Sequence, residues 1–355
     1  MTVVDIVETA EEADGLNLSP LLVLRPVEDY LDSRGIGEGS ITATRIGEGR
    51  SNVTYLIERG TSRLVLRRPP RPPLPPSAHD MVREARVQQA LEKAGAPVPH
   101  VVDICEDDSV LGVAFYLTEY LEGWVLSEDL PVTLDPPAQR RRIGLGLVDA
   151  LAEIHAVDWE DVGLADFGKP TGYLERQLRR WSDLWEMNAT RELPAVAELG
   201  AWLEANRPES GRATVVHGDY RLGNVMLSPD TPARVLAVLD WELSTIGDAL
   251  ADVGYLVATY SEPGSPRTPL ELSPVTAAKG FPSRKELAER YAERTGASLR
   301  GLPWYETLAL WKAAVFCEAI YGRYLRGERD DPWAASLSNG VPRLLEVAEE
   351  SAARL

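Results

Sequence analysis

The stretch VVHGDYRLGNVML, from Val215 to Leu227, decides the reading of this chain. Apolar and β-branched residues run into it and out of it, which predicts two short strands with a polar loop between them. A loop pinned at both ends by buried strands is a good place to fix reactive groups. This one places His217, one of only four histidines in the chain, two residues before Asp219, and sets Asn224 five residues after that aspartate.

A second acid lies downstream, in VLAVLDWE. Val235–Leu239 reads as a buried strand with Asp240 at its exit, and the SPDTPA before it carries turn residues. Val225–Leu227 and Val235–Leu239 are therefore expected to pair as a hairpin that brings Asn224 and Asp240 to the same end. An amide oxygen and a carboxylate there would make a hard-oxygen site suited to magnesium with bound phosphates. His217-x-Asp219-x-x-x-x-Asn224 also has the spacing of the kinase catalytic loop. There the aspartate orients the attacking hydroxyl and accepts its proton, while the asparagine holds a magnesium ion. Alone, Asp219 or Asp240 would read as a turn or cap residue. Their order, spacing and intervening hairpin together point to phosphoryl transfer.

The N-terminal side is read as the nucleotide side. RIGEGRSNVTYLI joins two strand-like runs through Gly47, Gly49, Ser51 and Asn52. Glycines let backbone amides approach phosphates, and asparagine tolerates the left-handed conformation, although a plain hairpin would look similar. In LVLRRPP, Val65 and Arg67 share one strand face and Leu66 and Arg68 the other. Arg67 is the expected phosphate contact. Glu84, in VREARVQQAL, is its expected carboxylate partner, with a solvated helix charge as the alternative.

Length and composition bound the function. The 355 residues are enough for two lobes, and no apolar run reaches the roughly 18 residues of a membrane helix. The acidic start, MTVVDIVETAEEADG, lacks a signal-peptide pattern. Cys105 and Cys317 form neither a metal motif nor a disulfide framework, so a reduced, cytoplasmic setting is expected. A formal charge of −18 argues against nucleic acid as a partner. It would suit a cationic substrate, but it is also what an ordinary soluble acidic protein carries.

The expected fold class is α+β and bilobal. Residues 1–20 read as a loosely attached acidic segment, 21–118 as a small β-rich N-lobe, 119–125 as a hinge and 126–355 as a larger, mainly helical C-lobe. A helix over Leu22–Arg34 is stopped by Gly35 and Gly37. Strands follow near Ile41–Ile46, Val53–Glu58 and Arg63–Arg67, then the proline-rich RRPPRPPLPPSAHD, read as a stiff connector rather than an SH3 ligand. A helix over Met81–Ala94 and strands over Val101–Cys105 and Ala114–Glu119 complete the lobe. In the C-lobe, Asp248 and Asp252 are expected to cap and brace a helix start, Glu242 to hold its loop, and His155 to pack. Ser261–Ser283 reads as either a lid or a connector.

These motifs resemble the aminoglycoside phosphotransferase and choline kinase-like superfamily, which shares the protein kinase fold. The resemblance spans roughly Val27 to Leu325 and is most specific in HGDYRLGNVML and VLDWELSTIGDALADVG. Within it, VLRRPP, EYLEG and LAEIHAVDW look most like the kinase-like domains fused to acyl-CoA dehydrogenases in animals and their free-standing bacterial relatives. The resemblance implies ATP or GTP as donor, Mg²⁺, and phosphorylation of a small-molecule hydroxyl. By it, Asp219 is the base, Asn224 and Asp240 are metal ligands, His217 braces the loop, and the backbone around Glu119 to Leu121 meets the adenine edge. Most members carry lysine where this chain has Arg67, which keeps a nucleotide-binding pseudokinase as the alternative. A phosphohydrolase would need a cluster of metal-binding histidines and carboxylates that this sequence lacks. Finally, WYETLALWKAAVFCEAIYGRYLRGER sets Trp304, Leu308, Trp311, Val315 and Gly322 on one apolar stripe. Lys312, Arg323 and Arg326 add positive charge, and Glu318 is the only acid in its middle. That predicts apolar walls with cationic accents, suited to a hydroxylated acyl or other neutral-to-anionic metabolite rather than to aminoglycosides.

Overall fold

Alternation writes the first sheet. In Val53–Arg59 (β4) and Ser62–Arg68 (β5) every second side chain is buried, as one covered face of an antiparallel sheet requires. Gly60, at φ 56°, turns one strand into the other, with Arg59 opposite Ser62. The computed structural model describes residues 4–47, 52–72, 74, 79–265 and 267–355. Its chain divides into two compact units, Met1–Glu122 and Gly123–Leu355.

The first unit contains a short strand at Ile6–Val7 (β1), a helical turn at Ala10–Asp14 (α1), and Leu22–Val23 (β2) leading into the helix Leu24–Arg34 (α2). Its sheet adds Ile41–Ile46 (β3), Val101–Cys105 (β6) and Phe115–Glu119 (β7) in the order β3-β4-β5-β7-β6. Tyr55, Ile57, Leu66 and Phe115 pack with Val27 and Leu31 of α2 into one core. The helix Met81–Lys93 (α3) sets Met81 and Ala85 against Val101 and Tyr116. A helical turn, Asp108–Leu111 (α4), precedes β7.

The start of the chain corrects the expectation of loose attachment. β1 pairs in parallel with β2, and Asp5 accepts from Arg45 at 3.0 Å and Arg71 at 2.8 Å. The helix expected from Leu22 begins at Leu24, because Leu22 and Val23 are taken by that pairing. Gly35, left-handed at φ 68°, ends it as expected.

The second unit is mainly helical. It comprises Trp124–Val125 (β8), Pro137–Ala156 (α5), Tyr173–Asn188 (α6), Pro194–Ala205 (α7), Ala213–Val216 (β9), Val225–Leu227 (β10), Val235–Val238 (β11), Thr245–Asp248 (β12), Leu250–Thr259 (α8), Arg284–Thr295 (α9), Leu302–Leu325 (α10) and Pro332–Ala352 (α11). Small sheets form in the orders β11-β10-β8 and β12-β9. The α10 stripe is core: Trp304, Leu308, Trp311 and Val315 pack among Leu174, Leu199, Leu203 and Leu344. Both indoles are satisfied, Trp304 donating to the Leu203 carbonyl and Trp311 to that of Val196, each at 2.9 Å. α8 crosses α10 at Gly254, where an added Cβ would meet the Tyr305 backbone at 2.6 Å.

The stretch 261–283 is not a free connector among its described residues. Tyr260 bridges Ser273, Ser261 donates to Glu271 at 3.1 Å, and Arg284 binds Glu271 at 3.3 Å. The loop is thus fastened to both helices that it joins. Among the described residues, no helix is long and apolar enough to cross a membrane.

Candidate active site

β9 delivers His217 and Gly218 into the loop. Gly218 has φ 87°, and a Cβ there would press on the Leu243 carbonyl at 2.9 Å, so the chain needs glycine at this point. Asp252, in the first turn of α8, accepts from His217 N at 2.7 Å and from Gly218 N at 2.8 Å. His155 meets the same carboxylate through Nε2 at 3.2 Å and the Tyr291 hydroxyl through Nδ1 at 2.7 Å. His155, expected as packing, therefore links α5, α8 and α9 through polar bonds. Asp252 braces the loop, as its place at a helix start implied. Burial pushes its carboxyl up, but the bond to His155, the nearby His155 and His217 rings and the Gly218 amide outweigh this and hold it below the usual carboxylate range.

His217 ties the loop to the hairpin. Its Nε2 meets the Leu239 carbonyl at 2.8 Å, while its Nδ1 accepts from Asp219 N at 3.2 Å. A carbonyl can only accept and an amide only donate, which fixes the Nε2–H tautomer. The ring lies 4.7 Å from that of Trp241.

Asp219 is oriented from several sides. Asn224 Nδ2 donates to its carbonyl and to its Oδ2, both at 2.8 Å. Arg221 Nε stands 3.4 Å from Oδ1, and burial, followed by the nearby Asp219 charge, raises the Tyr255 phenol well above its ordinary range. With both amide hydrogens of Asn224 donated, the polar atom that remains on its side chain is Oδ1, an acceptor. β10 and β11 pair as expected, Val225 opposite Val238, and Leu239 N donates to the Asn224 carbonyl at 2.8 Å. Asp240 follows directly, left-handed at φ 68° and ψ 63°, a strained backbone for a residue other than glycine. An amide oxygen and a carboxylate at one end of a hairpin are hard donors, and they fit magnesium.

In the first unit, Arg67 Nε lies 2.9 Å from Glu84 Oε1, and Glu84 is 1% exposed. Glu84 is thus the partner of Arg67, not a solvated helix charge. The buried Asn52 turns its amide to Glu84 at 3.2 Å and its oxygen to His79 at 2.8 Å, so its side chain serves this pair. Gly47 is left-handed at φ 74°. Gly49 and Ser51 lie outside the described residues. Glu119 ends β7 with its N–H donated to His100 and its side chain accepting from His100 N, both at 3.0 Å. Tyr120 N donates to the Arg63 carbonyl at 3.3 Å. An adenine edge would find those two N–H groups already in use, whereas Leu121 lies beyond the strand.

The cationic accents on α10 are corrected. Arg323 and Arg326 are exposed and bind Glu328. Glu318 is fully buried and holds Arg191 at 3.0 Å together with Thr190. Only Lys312 faces inward near the loop, lining a small space with Gly218, Asp252 and Tyr255. Sequence reasoning missed two neighbours of Asp219. Arg221 is two residues on in extended backbone, which returns to the same side, and Tyr255 is one turn beyond Asp252 on α8. Those periodicities were the available signal.

A five-stranded N-terminal sheet with an Arg67–Glu84 pair, followed by a helical unit carrying this loop and hairpin, defines the kinase-like class of fold. Within that class the chain belongs to the phosphotransferase enzyme family, whose model matches residues 42–306. A crystal structure of a putative aminoglycoside phosphotransferase from Ralstonia eutropha is 30% identical, with a TM-score of 0.80 over 93% of this chain and 98% of that one. Acyl-CoA dehydrogenase family member 11 of Rattus norvegicus is 34% identical over 91% of this chain and 42% of its own length. This chain therefore spans less than half of that relative. Choline kinase from Cryptosporidium parvum, 14% identical with a TM-score of 0.62 over 92% of this chain and 95% of its own, shares the fold.

Proposed function

We propose that the protein moves the γ-phosphoryl group of ATP to a hydroxyl of a small molecule, with Asp219 as the base. The observation that carries this reading is the double donation of Asn224 Nδ2 to Asp219. It fixes the carboxylate and at the same time turns Asn224 Oδ1 away as a ligand. Asn224 Oδ1 and the Asp240 carboxylate would hold Mg²⁺, which when bound with the nucleotide offsets the charge of the phosphates. Asp219 would orient the acceptor hydroxyl and take its proton as the oxygen attacks. Asp252 and His217 keep the loop in place while this happens. Arg67, held by Glu84, would supply the cation for the donor's phosphates. The intact Arg67–Glu84 pair favours this reading over a pseudokinase.

The test is thermal stabilisation by ATP with and without magnesium, followed by ADP release with candidate alcohols. Nucleotide at about 100 times its dissociation constant should add about 2.7 kcal/mol of stability. Stabilisation that ignores magnesium would defeat the assignment of Asn224 and Asp240.

A further inference from the structure

The second unit holds a cation that its own structure does not neutralise. Lys312 extends from α10 into the space lined by Gly218, Asp252, Tyr255, Tyr305 and Leu308. Gly218, the residue before Asp219, lines that space too, so the ammonium stands beside the loop that carries the proposed base. Its Nζ donates to Gln177 Oε1 at 3.0 Å and lies 5.1 Å from the Trp181 ring centroid. The Trp181 indole donates to the same Gln177 oxygen at 3.3 Å. Gln177 and Trp181 are one turn apart on α6, and they hold the lysine without cancelling its charge. Among the described residues no ion pair to Lys312 forms. The other charged groups of α10 differ: Glu306 is matched by Arg354, Glu318 by Arg191, and Arg323, like Arg326 just past the helix, by Glu328.

A shielded ammonium without a counter-ion is unfavourable. Burial first, then the like charge of Arg180 on α6, push Lys312 down to about 8, and Asp252 on α8 only partly opposes them. The phenols around the space do not supply a charge, because burial raises Tyr173, Tyr255 and Tyr305 above their ordinary range. A lysine with only a structural role would be matched at such a place. One that receives a ligand is matched when the ligand arrives.

We propose that Lys312 pairs with an anionic group of the acceptor, a carboxylate or a phosphate, and thereby selects acidic alcohols over amine-bearing ones. The inference rests on the reading of Asp219 as the group that handles the acceptor hydroxyl, since Gly218, the residue before it in the chain, lines this space. Tethered by Gln177 and Trp181, Lys312 is a specificity-determining residue and takes no part in the bond changes.

The test compares glycerate, glyceramide, glycerol 3-phosphate and serinol on the full chain. Calorimetry gives affinity without turnover, and ADP release gives KM and kcat. Glycerate or glycerol 3-phosphate should bind more tightly than glyceramide or serinol, and the better of the two anions identifies the group. Lys312→Met should weaken the anionic members by about 10- to 100-fold. Lys312→Arg, which keeps the charge, should recover part of that. Binding of the anion should take up protons near pH 8, because it restores the ammonium, and affinity should fall as the pH rises beyond. Varying the ionisation enthalpy of the buffer reads this uptake, which a merely structural lysine would not produce. Preference for serinol, an equal loss for all four compounds in Lys312→Met, or failure of both anions to bind would overturn the proposal. Tight, Lys312-dependent anion binding without phosphoryl transfer would instead uphold it and defeat the assignment of Asp219.

Discussion

At the scale of single residues, Asp219 and Arg67 are placed by their partners. Asp219 accepts from Asn224 and stands beside Arg221, so Asp219→Asn keeps the shape but removes the basic oxygen. Turnover should fall about 100-fold or more, the usual worth of a general base, with ATP affinity nearly unchanged in a calorimetric titration. An unchanged rate with a verified acceptor would refute the assignment. Arg67 neutralises a glutamate that is 1% exposed, so Arg67→Ala leaves a buried charge without its ion pair. Denaturant unfolding should show a loss of roughly 3 kcal/mol, and ATP binding should weaken more than adenosine binding. Arg67→Lys keeps the charge and should remain active. Equal loss of ATP and adenosine binding would reduce Arg67 to packing. Much of this was legible because spacing carries it: Asp219 and Asn224 lie on one short loop, and Arg67 lies on a strand whose alternation is plain. Lys312 was legible only as a cation on a helix that reads as core. Which helix faces it, and that no described residue forms an ion pair with it, are tertiary facts.

At the scale of elements, the hairpin of β10 and β11 was readable from its turn residues, but the backbone state at its end was not. Asp240 is left-handed, and no local pattern in VLAVLDWE asks for that; the Leu239 N–H bond to Asn224 and the His217 contact to Leu239 impose it. The first residues escaped for a related reason. β1 and β2 have two residues each, too few for periodicity to register. The strain at Asp240 yields a prediction that separates structure from chemistry. Asp240→Ala and Asp240→Gly both remove the carboxylate, so both should lose the magnesium-dependent part of ATP binding. Only glycine relieves the left-handed backbone, and Asp240→Gly should be more stable than Asp240→Ala by about 1 kcal/mol in denaturant unfolding. Equal stabilities would mean that the turn relaxes when the carboxylate goes. ATP binding that stays as tight as wild type at saturating magnesium would show that Asp240 is no ligand.

At the scale of the whole molecule, charge and site pull in opposite directions. The formal charge is −18, a field that attracts cationic molecules from solution and repels anionic ones. Lys312, the cation beside the catalytic loop that forms no ion pair among the described residues, asks for the reverse at contact. The two effects act over different ranges, so salt separates them. The long-range field reaches about 30 Å at 0.01 M ionic strength and about 8 Å at 0.15 M, whereas a contact in a shielded space is screened far less. For an anionic acceptor, raising the salt across that range should therefore increase kcat/KM, by removing repulsion on approach while leaving the Lys312 contact in place. For an amine-bearing acceptor such as kanamycin the same change should lower an already small kcat/KM. Steady-state rates at fixed saturating ATP and magnesium, over several salt concentrations and with two different neutral salts, read the slope. A slope of the same sign for both acceptors would mean that salt acts on the nucleotide or the fold. A kcat/KM for kanamycin at or above about 10⁴ M⁻¹s⁻¹, in the ordinary enzyme range, would mean that the acidic surface, and not Lys312, sets what this protein accepts.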